Sequence, residues 1–122
     1  MAIEVQRAFE RVGNGWCRPN CNVRSSSCRT NAFLKVPSNH DECGRYCLEE
    51  PSCSGFAISE PWYSYPNRCF VYGDISSSVI SSSNGWKPYP KQVYGVFKSS
   101  GHKGVECFNR SGNTDIELNL HK

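Results

Sequence analysis

The stretch DECGRYCLEEPSCSGF, residues 41–56, carries Cys43, Cys47 and Cys53 across what reads as the end of a helix running into a strand. Ser38 stands in N-cap position with Asp41 at capping-box spacing, and Asp41 and Glu42 complement the positive end of a helix dipole. The pattern predicts a helix over about residues 39–50, stopped by Pro51. SGFAISE (54–60) then reads as a strand with Phe56 and Ile58 on one face. RCFVYGD (68–74) answers it with Cys69, Val71 and Gly73 on one side, a hairpin-like pair.

Three chemistries compete for these cysteines. Cys17-x3-Cys21 and Cys43-x3-Cys47 look like paired zinc ligands, but structural zinc favours tighter C-x2-C turns, and His40, His102 and His121 are scattered. A dithiol redox centre wants a C-x-x-C motif, which the chain lacks. As staples the residues make geometric sense. Cys43 and Cys47 lie one helical turn apart with near-parallel Cα–Cβ bonds, so each is better placed to bond outward than to the other. Cys53, just past Pro51, can fold back to Cys47, and Cys69 is the natural partner of Cys43 if the helix packs across the hairpin. Eight cysteines nevertheless admit many pairings, and spacing alone leaves the assignment open.

The chain of 122 residues is the size of one domain, and 38% of it is hydrophobic, a modest core for that length. An even count of eight cysteines points to a disulfide framework made in an oxidising compartment: extracellular, secreted or cell-surface, or else an organelle lumen. No run approaches the roughly 18 apolar residues of a spanning helix, so no membrane span is expected. Residues 1–11 lack the apolar middle of a secretion signal, and the chain reads as a mature or trimmed product. The formal charge of +3, from 14 basic and 11 acidic residues, is too balanced to imply nucleic acid. Arg7, Arg11, Arg18, Arg24 and Arg29 crowd the first thirty residues and read as a solvated surface.

AFERVGNGWC (8–17) reads as a short strand into a Gly13-Asn14-Gly15 turn, and residues 17–31 as a polar loop pinned by its own cross-link. AFLKV (32–36) is a further strand. Residues 75–90 read as an irregular loop anchored by Trp86, followed by strands over QVYGVFKS (92–99) and GVECFNR (104–110). In the tail, 111–122, Ile116, Leu118 and Leu120 alternate with polar residues, as if to dock on the domain or on a partner's sheet edge.

The series Ser38…Cys43-x3-Cys47-x3-Pro51-x-Cys53-x-Gly55-Phe56, followed by Cys69-x-Val71-Tyr72-Gly73, resembles the core of a PAN/Apple domain. The resemblance covers about residues 12–110, with an N-terminal extension or first strand (1–11) before it and the tail after it. It implies an α+β fold: an antiparallel sheet of about five strands with one helix packed across it. It also implies the bonds Cys43–Cys69 and Cys47–Cys53, and an end-to-end bond Cys17–Cys107. Cys21–Cys28 then remains as a fourth pair outside the usual pattern.

Catalysis is not expected: there is no nucleophile elbow, Gly-rich phosphate loop or EF-hand pattern, and no catalytic residue, metal ligand or cofactor site is assigned. Binding is. The loop EPWYSYPN (60–67) gathers Trp62, Tyr63 and Tyr65 between prolines, with Arg68 at its edge, a set able to stack on sugars or anchor a protein. Trp16 and Trp86 read as core. Asn109-Arg110-Ser111 is a glycosylation sequon. The expectation is a non-catalytic module for a protein or glycan ligand; the alternative is a small accessory subunit contacting neighbours in a larger complex.

Overall fold

The computed structural model describes residues 1–19, 29–75, 85–94 and 97–111. Along the chain these form α1 (Ile3–Ala8), β1 (Phe9–Asn14), β2 (Cys17–Pro19), β3 (Arg29–Lys35), α2 (His40–Glu49), β4 (Cys53–Ser59), β5 (Cys69–Gly73), β6 (Lys87–Tyr94), β7 (Phe97–Ser99) and β8 (Val105–Arg110). The fold is α+β and rich in disulfides. Six strands form one sheet in the order β1-β8-β4-β5-β3-β6, and β2 pairs with β7 as a separate ribbon. Every pairing among the described strands is antiparallel. The expected sheet of about five strands thus gains one. Residues 87–90, read from sequence as the end of an irregular loop, are instead the start of β6; their prolines argue against a central strand but suit an edge, where β6 lies.

Strand alternation divides the core in two. Phe33, Phe56, Ile58, Val71 and Phe108 face the helices, together with Cys43, Cys47, Cys53 and Cys69. Ala32, Ala57, Phe70, Tyr72, Val105 and Cys107 face the opposite way, where Cys17 of β2 and Phe97 of β7 cover them. The central strand β5 is buried along its whole length, as a strand covered on both faces must be. Phe56 stacks on Phe108 with ring centroids 4.7 Å apart, and Phe9 meets Phe56 edge-on at 4.9 Å. Each such pair contributes about 0.5–1.5 kcal/mol beyond its buried area.

Disulfides tie these layers together. Cys43–Cys69 joins α2 to β5, Cys47–Cys53 joins α2 to the start of β4, and Cys17–Cys107 joins the ribbon to β8. The pair Cys21–Cys28 lies outside the described residues, as does the tail from residue 112. Three disulfides suit a protein folded in an oxidising compartment. Among the described residues no helix is long and apolar enough to cross a membrane.

Two local expectations change. The helix cap is Asn39, whose side chain accepts the Glu42 amide at 2.9 Å. Ser38 is instead buried, and its amide donates to the Asn67 carbonyl at 2.8 Å. Residues 1–11 hold a short helix before the first strand. Val5 of α1 is fully buried, and a methyl group on Gly44 would collide with its side chain, so α1 packs where α2 has no side chain. That contact is tertiary and leaves no local period to read.

The far end of α2 is closed by a cation. Arg110 Nη1 donates to the carbonyls of Cys47, Glu50 and Cys53 at 3.2, 2.9 and 3.1 Å. It satisfies acceptors that a helix leaves open at its C-terminus, where positive charge is favoured.

Candidate functional site

On the face turned away from α2, β5 presents Phe70 and Tyr72, β6 presents Tyr89, and Trp16 enters just before β2. These rings interlock. Trp16 and Tyr89 both meet Phe70 edge-on, at 5.0 and 4.8 Å, and Phe70 stacks on Tyr72 at 6.4 Å. Above them lies a half-enclosed groove of about 360 Å3, whose lining adds Arg18, Tyr65 and Arg68 to these aromatic residues.

Ser59, at the end of β4 and only 2% exposed, builds one wall. Its hydroxyl donates to the Tyr65 carbonyl at 2.7 Å and accepts the Arg68 amide at 2.9 Å, while its own amide donates to the Arg68 carbonyl at 3.1 Å. The loop 60–68 is closed by this residue. Asn67 takes the left-handed backbone conformation there (φ 55°), which asparagine tolerates better than most side chains. The Arg68 guanidinium lies 4.6 Å from the centre of the Tyr65 ring, a cation–π arrangement.

Tyr72 forms the floor at 4% exposure. Burial pushes its phenol well above the usual tyrosine range; the Arg18 charge and a hydrogen bond with the Cys17 backbone oppose this, and neighbouring Tyr89 adds to it. The floor therefore stays uncharged at neutral pH. Among the described residues no carboxylate lines the groove, and none lies within ion-pair distance of Arg18 or Arg68.

A second, more open cavity of about 560 Å3 lies beside the start of α2. His40 Nε2 is 2.7 Å from Glu106 Oε1 and 3.8 Å from Glu60 Oε1, and Arg11 Nε is 2.6 Å from the other Glu106 oxygen. Burial alone would raise the Glu106 carboxyl, but the hydrogen bonds from Arg11 and His40 outweigh it and hold the group below its ordinary value. The ligand atoms of His40, Glu60 and Glu106 lie within 4.8 Å of one another. Arg11 and the positive end of α2 already supply cationic charge there, which offsets part of the carboxylate charge. The groove has the opposite balance: two arginines line it, and among the described residues no carboxylate does.

Of the residues expected from sequence to bind, Tyr65 and Arg68 line the groove. Tyr63 stands behind it, 6.1 Å from Trp16, and supports that ring. Trp62 is 69% exposed on the outer surface of the same loop. Both rings rest on Gly104, where a methyl group would lie 2.7 Å from Tyr63 Cδ1 and 2.9 Å from Trp62 Cη2. Trp86 is core: it packs edge-on against Tyr46 of α2 at 5.3 Å. Trp16, read from sequence as core, is only partly buried and joins the wall. Arg18 and Ser59 went unassigned by sequence; the arginine-rich start of the chain was the available signal for Arg18, and Ser59 had none.

The sequon residue Asn109 is 9% exposed, and its Nδ2 points inward, 3.5 Å from the Phe97 carbonyl. β8 pairs with β1 and β4 on its two sides, and the Asn109 side chain lies on the face towards Phe97 of β7. In the folded chain a central strand turns this side chain inward, which the sequon does not reveal. No protein-family model, no curated protein and no solved structure matches this chain.

Proposed function

We propose that the protein is a non-catalytic, disulfide-stabilised binding module that works outside the cell or at its surface, and that its ligand seat is the groove between β2 and the β5–β3–β6 half of the sheet. The observation that carries this is the groove itself: aromatic rings and two arginines with no carboxylate partner among the described residues, beside a loop fixed by Ser59. A site of this size with a few convergent polar groups suits a sugar or a short peptide. The bonds Cys43–Cys69, Cys47–Cys53 and Cys17–Cys107, with α2 across an antiparallel sheet, support placing the chain beside PAN/Apple modules. Screening the folded protein against glycan and protein arrays, with Tyr65→Ala and Trp16→Ala in parallel, tests the reading. A hit lost in both variants supports it; hits unaffected by either variant, or none at all, contradict it.

The exposed Trp62 favours a second reading, in which the module is an accessory subunit and this ring anchors a neighbour in a larger assembly. Sizing the native protein without denaturant tests that reading, since a free monomer would count against it.

A further inference from the structure

We infer that the groove takes a sugar ring bearing an anionic group, a carboxylate or a sulfate. This rests on the binding-module reading and goes further by fixing the charge of the ligand. Arg18 comes from β2 and Arg68 from the end of the 60–68 loop, with its guanidinium over the Tyr65 ring, so two separate elements bring arginines to one small cavity. Like charges gathered around a half-enclosed space repel each other unless something between them is negative. The described residues do not provide it: the floor is a neutral phenol, and among them no Asp or Glu lines the walls. An anionic ligand does, and a guanidinium fork matches the paired oxygens of a carboxylate or sulfate.

The rest of the lining selects a ring. Trp16, Tyr65 and Tyr89 offer apolar surface against which the C–H face of a sugar can pack, and the tyrosine hydroxyls can hydrogen-bond its own. At about 360 Å3 the groove is near the lower end of small-molecule sites, which run to roughly 300–1,000 Å3, so it holds one or two rings and not a protein face. The hydrogen bonds of Ser59 hold the loop that carries Tyr65 and Arg68 before any ligand arrives, which reduces the ordering cost of binding.

Calorimetric titration of the intact protein tests this with galacturonate oligosaccharides, their methyl esters, galactose 6-sulfate and galactose. The acid or the sulfate should bind at least about tenfold more tightly than its uncharged counterpart, and added salt should weaken only the charged ligand. Arg18→Gln and Arg68→Gln should each weaken the charged ligand roughly tenfold, and by more than they weaken the neutral sugar. Whether the carboxylate or the sulfate binds identifies the source of the charge. If neutral and acidic sugars bind alike and both depend on Tyr65, the inference fails and the binding-module reading stands. If none of these sugars binds while an array hit is lost with Tyr65→Ala, the inference fails and the binding-module reading stands; if the arrays give no such hit either, both fail.

Discussion

The Ser59 hydroxyl donates to the Tyr65 carbonyl at 2.7 Å, and this one bond sets where the loop of residues 60–68 turns back towards the sheet. The same oxygen accepts the Arg68 amide at 2.9 Å, so the two groove residues foreseen in the sequence are held by a third that was not. Ser59→Ala leaves the Tyr65 carbonyl and the Arg68 amide, in partly buried hydrogen bonds, without that partner. The expected cost is about 1–3 kcal/mol in urea unfolding, together with ligand binding weakened by roughly tenfold. Unchanged affinity would show that Ser59 does not position the wall.

Glu106 gives the fold a pH dependence whose direction is set. Its carboxyl is held below the ordinary value of 4.5, with burial opposed by the stronger pull of Arg11 and His40. A depressed folded-state pKa contributes stability that is fully present above the unfolded value and is lost as pH falls through the folded one. Urea unfolding of the wild type and Glu106→Gln should therefore differ most above about pH 5 and converge as the pH falls below the ordinary carboxyl value. A gap that widens as the solution is acidified would contradict the assignment.

The disulfides should differ in weight because they close loops of different length. Sequence separations of 90, 26 and 6 residues for Cys17–Cys107, Cys43–Cys69 and Cys47–Cys53 correspond on loop-closure entropy to about 4.6, 3.5 and 2 kcal/mol. Paired Cys→Ala variants unfolded in denaturant should lose stability in that order. The reverse order would show that packing around each bond, and not chain restriction, dominates.

Asn109 should stay unmodified. When the chain is made in a glycosylating secretory host, intact-mass analysis of the folded monomer should show no glycan at this residue, because Nδ2 faces the Phe97 carbonyl inside the sheet. Folded, glycosylated material would contradict the packing of β8.

Much of this architecture is legible in the sequence where signals are local. The cap, dipole and proline pattern around residues 38–51 marks α2 to within a residue or two, and alternation marks β4 and β5 with the correct inward faces for Phe56, Ile58 and Val71. What stays hidden depends on distant partners. The run 92–99 reads as one strand, yet residues to Tyr94 pair with β3 while Phe97–Ser99 pair with β2. α1 exists because Gly44 makes room for Val5, 39 positions earlier in the chain. The site divides in the same way: aromatic residues clustered in one loop announce Tyr65 and Arg68, whereas Trp16 and Arg18 reach the groove only through the pairing of β2 with β7.

The central claim is that ligand binds on the sheet face opposite α2, and backbone amide shifts in an NMR titration with the best array hit test it most directly. The account predicts that the amides of Trp16, Arg18, Tyr65, Arg68, Phe70 and Tyr89 move together and saturate with one affinity, while those of His40 and Glu106 stay in place. Shifts centred on His40 and Glu106, with the groove amides unmoved, would contradict it.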